Sequence, residues 1–287
     1  MMDFPSLNVM MENVSTTIID GNTQWVGLIA DPISHVRTPQ ALNRLWAQNN
    51  KAAVVVPIHV DKDGLPALFQ GLRHVKNLKG LIATIPHKQA LAGLCDETSQ
   101  SVAIAGAANV ARRNMDGTFS GENFDGEGFT LGLTKAGHTI AQKSIRLIGA
   151  GGAASAIALS LLQKDCGLLQ IINRTQKTAE DLARRLHEHV PDASIVIGHD
   201  NSIIADIVVN GTNLGMQDKD PLPDALDNVA PHAVVAEVIM VPEQTAYLTQ
   251  AQKKQLQTHA GRPMMEQQLH LIQEFLFQNN QSLYERL

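Results

Sequence analysis

The sequence has few cysteines, little net charge and no long apolar run, and each lack excludes a class of protein. Cys95 and Cys166 are its two cysteines and lie far apart, so we expect no disulfide framework and a reducing compartment, the cytoplasm. A net charge of −5 gives no electrostatic case for nucleic acid or an anionic membrane as a partner. The longest uncharged stretch, residues 147–163, is shorter than the about 20 residues of a membrane span. The acidic Asp3 and Glu12 leave no signal-peptide pattern at the start.

The histidines also lack a metal-binding pattern. None of the eleven has the HExxH spacing. His187 and His189 flank a glutamate in a predicted helix, where residues two apart do not share a face. We therefore predict no metal site.

Alternating strands and helices are present instead, from Trp25 onward. With 287 residues, 44% of them hydrophobic, the chain can bury the core of one large or two ordinary domains. The predicted strands are 26–30, 52–56, 80–84, 103–110, 145–148, 168–172, 207–210 and 233–236, and the predicted helices are 39–49, 65–75, 153–163, 178–188, one that starts at Pro86 and one at the carboxyl end. This alternation predicts parallel sheets with right-handed crossovers. Residues 1–20 show no periodicity, and we interpret them as an extension.

The segment Gly149-Ala150-Gly151-Gly152-Ala153-Ala154 is the clearest local motif. It follows an apolar strand and opens an alanine-rich helix, which is the setting of a dinucleotide-binding loop. Gly149 permits the tight turn, Gly151 lets the backbone approach a pyrophosphate, and Ala154 lets the helix pack on the strand. The helix N-terminus then offers free N–H groups to the anion. A tight turn without a ligand is the alternative.

The next strand ends at Asn173-Arg174-Thr175, about 24 residues after Gly149, where such folds bind the adenosine ribose. An acidic residue there would accept the 2′-hydroxyl of NAD. This chain has Arg174 instead, with Lys177 close by. Cations at this point suit a 2′-phosphate, so we predict NADP rather than NAD.

A hydride carrier also needs a group that exchanges a proton with the substrate, and the first half of the chain should supply it. Lys88 follows the run Thr84-Ile85-Pro86-His87, and Asp125 lies where the chain passes into the second half. Each residue alone is more often a solvated surface charge. If the two meet in a cleft between domains, they form a candidate proton-transfer pair.

Several further motifs follow one another in a fixed order. They are Gly27-Leu28-Ile29-Ala30-Asp31-Pro32-Ile33-Ser34-His35, Thr84-Ile85-Pro86-His87-Lys88, Gly106-Ala107-Ala108-Asn109, Asn123-Phe124-Asp125-Gly126, Asn210-Gly211-Thr212-Asn213-Leu214-Gly215-Met216 and the segment 261–268. Together with the glycine loop and Asn173-Arg174-Thr175, they resemble the shikimate dehydrogenase family over nearly the whole chain.

The resemblance implies a two-domain α/β enzyme that acts as a monomer or homodimer. An N-terminal open α/β substrate domain would comprise residues 1–124 plus 261–287, with the C-terminal helix returning to it. A Rossmann-type NADP-binding domain would comprise residues 125–260. The implied reaction is reversible hydride transfer between NADPH and 3-dehydroshikimate to give shikimate, a step of aromatic amino acid biosynthesis.

The resemblance also assigns roles to individual residues. Lys88 would exchange the proton of the reacting oxygen, and Asp125 would hold that oxygen and the lysine. Substrate binding is expected from Thr38, Thr84, Asn109 and Gln268, and cofactor binding from Gly149, Gly151, Gly152, Ala153, Asn173, Arg174, Thr175, Thr212 and Met216, the last two on the nicotinamide side.

Three polar positions of the family are apolar here. Val36 replaces a serine expected to face the substrate carboxylate, Ile82 replaces an asparagine, and a tyrosine is missing near Met240-Val241-Pro242. Each lost charge-assisted hydrogen bond is worth about 1.5–3 kcal/mol. Two alternatives therefore stay open: a paralogue for a related ring hydroxy acid, such as quinate or aminoshikimate, and a nucleotide-binding sensor. Lys88 and Asp125 argue against a sensor, which needs no proton-transfer pair.

Overall fold

The structure is a computed structural model that describes residues 18–34 and 36–277. The predicted extension, residues 1–20, falls almost wholly outside these described residues, as does His35 of the first motif. The described chain forms two six-stranded sheets with helices against both faces. The α/β class and the two-sheet organisation agree with the sequence-based prediction.

The first sheet is mixed. Its strands are β1 (Gln24–Ala30), β2 (Ala53–His59), β3 (Leu78–Ala83), β4 (Glu97–Thr98), β5 (Val110–Arg113) and β6 (Phe119–Glu122), in the order β2-β1-β3-β5-β6-β4. Strands β2, β1 and β3 are parallel, whereas β5 is antiparallel to both β3 and β6. The connecting helices are α1 (Thr38–Gln48), α2 (Leu65–Leu72), α3 (Lys88–Leu94) and α4 (Gln100–Ala105).

Side chains of this sheet alternate between two cores, as the strand period of two requires. In β1, Leu28 packs in a cluster with α1, whereas Ile29 packs in a cluster with α2 and α3. In β3, Ile82 joins the first cluster and Leu81 the second. Both faces of the sheet are therefore covered.

The second sheet is all parallel. Its strands are β7 (Ser144–Ile148), β8 (Leu168–Ile172), β9 (Ile195–Ile197), β10 (Ala205–Asn210), β11 (Val229–Glu237) and β12 (Gln257–His259), in the order β12-β11-β10-β7-β8-β9. This is the order of a dinucleotide-binding fold, whose direction of winding switches between β7 and β10. The helices α6 (Gly152–Gln163), α7 (Gln176–His189) and α8 (Ala246–Lys253) cover it.

Two further helices, α5 (Asp125–Lys135) and α9 (Arg262–Phe277), join the sheets. Glycines let α5 lie very close to its neighbours: a Cβ at Gly126 would overlap the backbone of Ala156 in α6, and one at Gly128 would lie 3.0 Å from the carbonyl oxygen of Met264 in α9. Helix α5 is thus held between α6 and α9.

Helix α9 also packs back onto the first sheet. Its Phe275 and Leu276 belong to the same buried cluster as Leu28 and Ile82. The C-terminal helix therefore returns to the first sheet, as the resemblance implies.

Several local predictions for the first half are wrong. Residues 103–110, predicted as a strand, form the end of α4, a loop and only the first residue of β5, because Gly106 adopts φ +64° and ends the helix. The helix after Pro86 starts at Lys88, and α5 was not predicted. The antiparallel β5 and β6 also break the expected parallel pattern. Within the described ranges, no helix is long and apolar enough to cross a bilayer.

Candidate active site

Lys88 and Asp125 meet, although they are far apart in sequence. Lys88 Nζ lies 2.8 Å from Oδ2 and 3.1 Å from Oδ1 of Asp125. The side chain of Asp125 is only 5% exposed, whereas that of Lys88 is 31% exposed. The pair therefore combines a buried carboxylate with a lysine side chain that is still partly exposed.

Two amides complete the shell of this carboxylate. Asn109 Nδ2 donates to Asp125 Oδ1 at 3.0 Å, and Gln268 Nε2 donates to the same oxygen at 3.0 Å. The four side chains come from α3, the loop before β5, and helices α5 and α9. We call Lys88, Asn109, Asp125 and Gln268 the Asp125 cluster.

The turn before α3 fixes the position of Lys88. His87 is fully buried, and its Nε2 donates to the carbonyl oxygen of Val60 at 2.7 Å. The carbonyl oxygen of Lys88 accepts from the backbone N–H of Ala108 at 2.9 Å. This bond holds the lysine beside the segment that carries Asn109.

Asn109 and Asn123 fix the backbone around the carboxylate. Asn109 Oδ1 accepts from the N–H of Phe124 at 3.1 Å, and Asn123 Oδ1 accepts from the N–H of Asp125 at 2.9 Å. Asn123 Nδ2 in turn donates to the carbonyl oxygen of Ala107 at 2.8 Å. Asp125 is the first residue of α5, where the helix dipole also stabilises a negative charge.

A second carboxyl group lies directly before this motif. Glu122 accepts from Ser99 Oγ at 2.5 Å and from the N–H of Asn123 at 2.7 Å. Burial raises the pKa of Glu122, and these two hydrogen bonds oppose the rise. Glu122 braces Asn123 and thereby the start of α5.

The other two expected substrate residues, Thr84 and Thr38, do not belong to the Asp125 cluster. Thr84 is half-buried at the end of β3, and its backbone N–H donates to the carbonyl oxygen of Ile29. Thr38 is the first residue of α1 and is also half-buried. Ile82 is a core residue at 5% exposure, and Val36 packs against the same cluster. Both side chains therefore contribute packing to this cluster and offer no hydrogen bond.

The glycine loop has the geometry that a pyrophosphate needs. Gly149 adopts φ +111°, and a Cβ there would lie 3.0 Å from Thr212 Cγ2. Gly151 caps α6 without a side-chain hydrogen bond, so the first turn keeps free N–H groups. Gly151 and Gly152 are exposed, Ala153 is half-buried and Ala154 is buried against the sheet. The loop fits a bound dinucleotide.

A cavity of about 510 Å³ opens beside this loop at the carboxyl ends of β7, β8 and β10. The expected cofactor residues Gly149, Asn173, Arg174, Thr175 and Thr212 line it. Arg174 is exposed, and no hydrogen bond within the described ranges engages its guanidinium group. Lys177, in contrast, pairs with Asp181 at 3.1 Å.

Thr212 belongs to a loop that Asn210 organises. Asn210 Oδ1 accepts from both Oγ1 (2.7 Å) and N–H (3.1 Å) of Thr212, and Asn210 Nδ2 donates to the carbonyl oxygen of Leu214 at 2.9 Å. Met216 follows in the same loop and is 57% exposed. Its side chain does not line the cavity beside Thr212.

Glu237, which the sequence-based prediction missed, lies behind this loop. It pairs with Asn210 across β10 and β11, is fully buried, and accepts from Thr245 Oγ1 at 3.1 Å. Burial raises its pKa to about 7, and hydrogen bonds from Thr245 and Asn210 oppose the rise. A glutamate inside an apolar strand pattern was the available signal.

Comparisons with known proteins agree with this geometry. Residues 28–111 match the family model described as the shikimate dehydrogenase substrate binding domain, and residues 131–213 match the model described as shikimate / quinate 5-dehydrogenase. A shikimate dehydrogenase (NADP(+)) of Rubrobacter xylanophilus is 35% identical over 84% of this chain and 86% of its own length.

Solved structures share the fold over most of the chain. Shikimate 5-dehydrogenase from Listeria monocytogenes, in complex with shikimate and NAD, is 28% identical with a TM-score of 0.79, over 91% of this chain and 99% of that one. The 5-ketofructose reductase of Gluconobacter sp. strain CHM43 is 25% identical with a TM-score of 0.80, over 89% and 93% of the two chains.

The two sheets, the glycine loop and the Asp125 cluster define a dinucleotide-dependent oxidoreductase with separate substrate and cofactor regions. Within that class, the chain belongs to the shikimate dehydrogenase family.

Proposed function

We propose that the protein catalyses the reversible, NADP-dependent reduction of 3-dehydroshikimate to shikimate. The observation that carries this proposal is the Asp125 cluster, in which a lysine and two amides converge on one buried carboxylate. The cofactor cavity and the family membership support the same reaction.

Lys88 moves the proton. When NADPH is bound, its nicotinamide supplies the hydride to the carbonyl carbon of the substrate. Lys88 Nζ donates a proton to the carbonyl oxygen as that oxygen becomes a hydroxyl, and regains a proton from solvent through its exposed end. In the reverse direction Lys88 accepts the proton of the hydroxyl.

Asp125 positions this lysine and the substrate oxygen. Its carboxylate holds Nζ through two short contacts, and Asn109 and Gln268 restrict its rotation. The same two amides retain further hydrogen-bonding atoms, and we assign them to the ring hydroxyls. Thr84 directly follows β3, and Thr38 is the first residue of α1. We assign both to the remaining polar groups of the substrate.

The cofactor residues are proposed from the cavity and the glycine loop. Gly149, Gly151, Gly152 and Ala153 present backbone N–H groups to the pyrophosphate. Asn173, Arg174 and Thr175 take the ribose and its 2′-phosphate, which is why NADP is favoured over NAD. Thr212 and Met216 take the nicotinamide side; Thr212 lines the cavity, and the exposed Met216 would have to turn towards it.

Further parts of the proposal concern organisation. We assign residues 1–124 plus 261–287 to the substrate domain and 125–260 to the cofactor domain; the two separate sheets and the return of α9 support this division. We also propose a monomer or homodimer in the cytoplasm, where the free thiols of Cys95 and Cys166 would stay reduced. Light scattering at several concentrations would test the oligomeric state.

Turnover with purified protein tests the reaction directly. We expect NADP reduction with shikimate, and much slower reduction of NAD. A protein that binds NADP but does not turn over shikimate, in either direction, would contradict the proposal.

A related substrate is the second candidate, because Val36 and Ile82 are apolar and packed in the core. A neutral polyol ketone, of the kind that the Gluconobacter reductase is named for, would lose nothing from a weakened carboxylate site. A ring acid such as quinate or aminoshikimate keeps the carboxylate and would differ from shikimate at other ring positions. A panel of these substrates with both cofactors separates the candidates by kcat/KM.

A further inference from the structure

The outer wall of the cofactor cavity contains a residue that none of the motifs includes. His199 lines the same cavity as Asn173, Arg174 and Thr175. It follows β9, which pairs in parallel with β8, so the strand ends carry His199 and Arg174 to the same edge of the sheet. The side chain is exposed, and no hydrogen bond engages its ring within the described ranges.

Hydrogen bonds at the preceding residue, Gly198, hold the backbone at His199. Gly198 adopts φ +83°, donates its N–H to the carbonyl oxygen of Ile171 at 2.9 Å, and accepts from Gln170 Nε2 at 2.9 Å. Gln170 is buried and its Oε1 accepts from Arg146 Nε at 3.0 Å. A buried network thus fixes the point from which His199 extends.

The same arginine also holds a second part of the cavity lining, at Pro223. Arg146 Nη1 pairs with Asp224 Oδ2 at 2.9 Å, and both side chains are almost fully buried. Asp224 directly follows Pro223, which lines the cavity. Arg146 therefore connects, through Gln170 and Asp224, the backbone next to two residues of the cavity lining, His199 and Pro223.

The charges around this end favour an anion. The residues that line the cavity, within the described part of the chain, include no aspartate or glutamate. Two carboxylates lie close by in sequence. Asp224 is paired with Arg146, whereas the exposed Asp200 accepts from the N–H (2.9 Å) and Oγ (2.6 Å) of Ser202 and keeps its negative charge. Arg174 and His199 are the basic side chains of this lining, and no hydrogen bond within the described ranges engages either of them.

We propose that His199 contacts the 2′-phosphate of the dinucleotide and, together with Arg174, sets the preference for NADP over NAD. The proposal rests on the NADP-dependent function above and adds a residue to its specificity. An imidazole N–H donates to a phosphate oxygen, and this bond to a charged acceptor is stronger than one to the neutral 2′-hydroxyl of NAD.

Calorimetric binding tests this without turnover. The probes are NADP and 2′,5′-ADP, which carry the 2′-phosphate, and NAD and 5′-AMP, which do not. For His199→Ala we expect the Kd of NADP and 2′,5′-ADP to rise by about 3- to 10-fold, and that of NAD and 5′-AMP by less than about two-fold. His199→Arg should keep the preference for NADP.

The matched control is His232→Ala, an exposed histidine in the amino half of β11, away from the carboxyl edge that carries the cavity. An equal loss of NADP and NAD in His199→Ala would overturn the proposal, because it would place His199 on the adenine. Unchanged NADP binding in His199→Ala, with a loss in Arg174→Ala, would overturn it and leave the proposed function intact. If the wild-type protein binds neither NADP nor 2′,5′-ADP, the proposed function itself fails, and this inference with it.

Discussion

The Asp125 cluster and the cofactor cavity use polar side chains in opposite ways. Asp125 is buried, and the protein itself supplies hydrogen-bond donors to its carboxylate from Lys88, Asn109 and Gln268. In the cavity, the side chains of Arg174 and His199 are exposed and make no hydrogen bond to another side chain of the described ranges. The hydrogen bonds of the Asp125 cluster are therefore formed before any ligand binds, whereas the polar groups of the cavity remain available to a ligand.

This difference follows from the cost of burial. A buried carboxylate without partners would be strongly destabilising, so the fold must satisfy Asp125 on its own. An exposed guanidinium is already solvated and needs no partner in the free protein. Changes in the Asp125 cluster should therefore affect catalysis most, and changes in the cavity should affect mainly the affinity for the cofactor.

The largest effect is expected for Lys88→Ala. The variant removes the proton donor from the reacting oxygen, so kcat should fall by about 10²- to 10⁴-fold while the Kd of NADP stays unchanged. Steady-state rates and a calorimetric titration with NADP measure the two quantities. Lys135→Ala, an exposed lysine at the other end of α5, is the control and should behave as the wild type. Lys88→Ala with near wild-type kcat would show that another group transfers the proton.

The next effect concerns stability and comes from Glu237. Burial raises the pKa of Glu237 from 4.5 to about 7, so the folded protein holds a proton that the unfolded chain releases. The stabilisation is complete below about pH 4.5 and is lost as the pH rises to about 7, and it amounts to about 3 kcal/mol at most. The Tm of the wild type should thus fall by a few degrees across this range.

Glu237→Gln tests this, because a glutamine keeps the size and stays neutral. Its Tm should decline less between pH 5 and pH 8 than that of the wild type, and Glu243→Gln, at an exposed position six residues later, should follow the wild type. Parallel curves for all three proteins would mean that Glu237 does not titrate in this range.

The two halves of the chain also differ in how far the sequence predicts them. In the second half, β7, β8, β10 and β11 were predicted, because each contains a short apolar run, whereas β9 and β12, of three residues each, were not. In the first half, residues 103–110 are apolar enough for a strand, yet Gly106 ends a helix there. Whether this segment forms a strand or a helix depends on the sheet that it packs against, and the local sequence pattern carries no information about that sheet.

The candidate site shows the same limit. Lys88 and Asp125 were named from motifs, and their contact is a result of the fold, since Gln268 reaches the same carboxylate from 143 residues away. Glu237, Arg146 and His199 belong to no motif, and their roles depend on burial and on which strand ends lie side by side. Apart from a glutamate inside an apolar strand pattern at Glu237, the sequence carries no sign of either.

A smaller effect is expected for Arg174→Ala in the cofactor cavity. Loss of the guanidinium should raise the Kd of NADP by about 10-fold and leave that of NAD nearly unchanged, because the 2′-phosphate is the group that we propose it contacts. Fluorescence or calorimetric titration with both cofactors measures this. Arg184→Ala, in an exposed pair with Glu188 on α7, is the control. Equal losses for the two cofactors would contradict the role in 2′-phosphate binding.

The smallest effect is expected where the substrate region departs from its family. Val36→Ser returns a hydroxyl to the loop before α1, and a hydrogen bond to the substrate carboxylate should lower the KM for shikimate by about 3- to 10-fold. Val36→Ala is the matched control, because it removes the same methyl groups from the buried cluster without adding a donor. A gain in the serine variant alone would show that the carboxylate lies at this loop. If both variants lose affinity equally, Val36 contributes packing, and the carboxylate is bound by other groups of the first sheet.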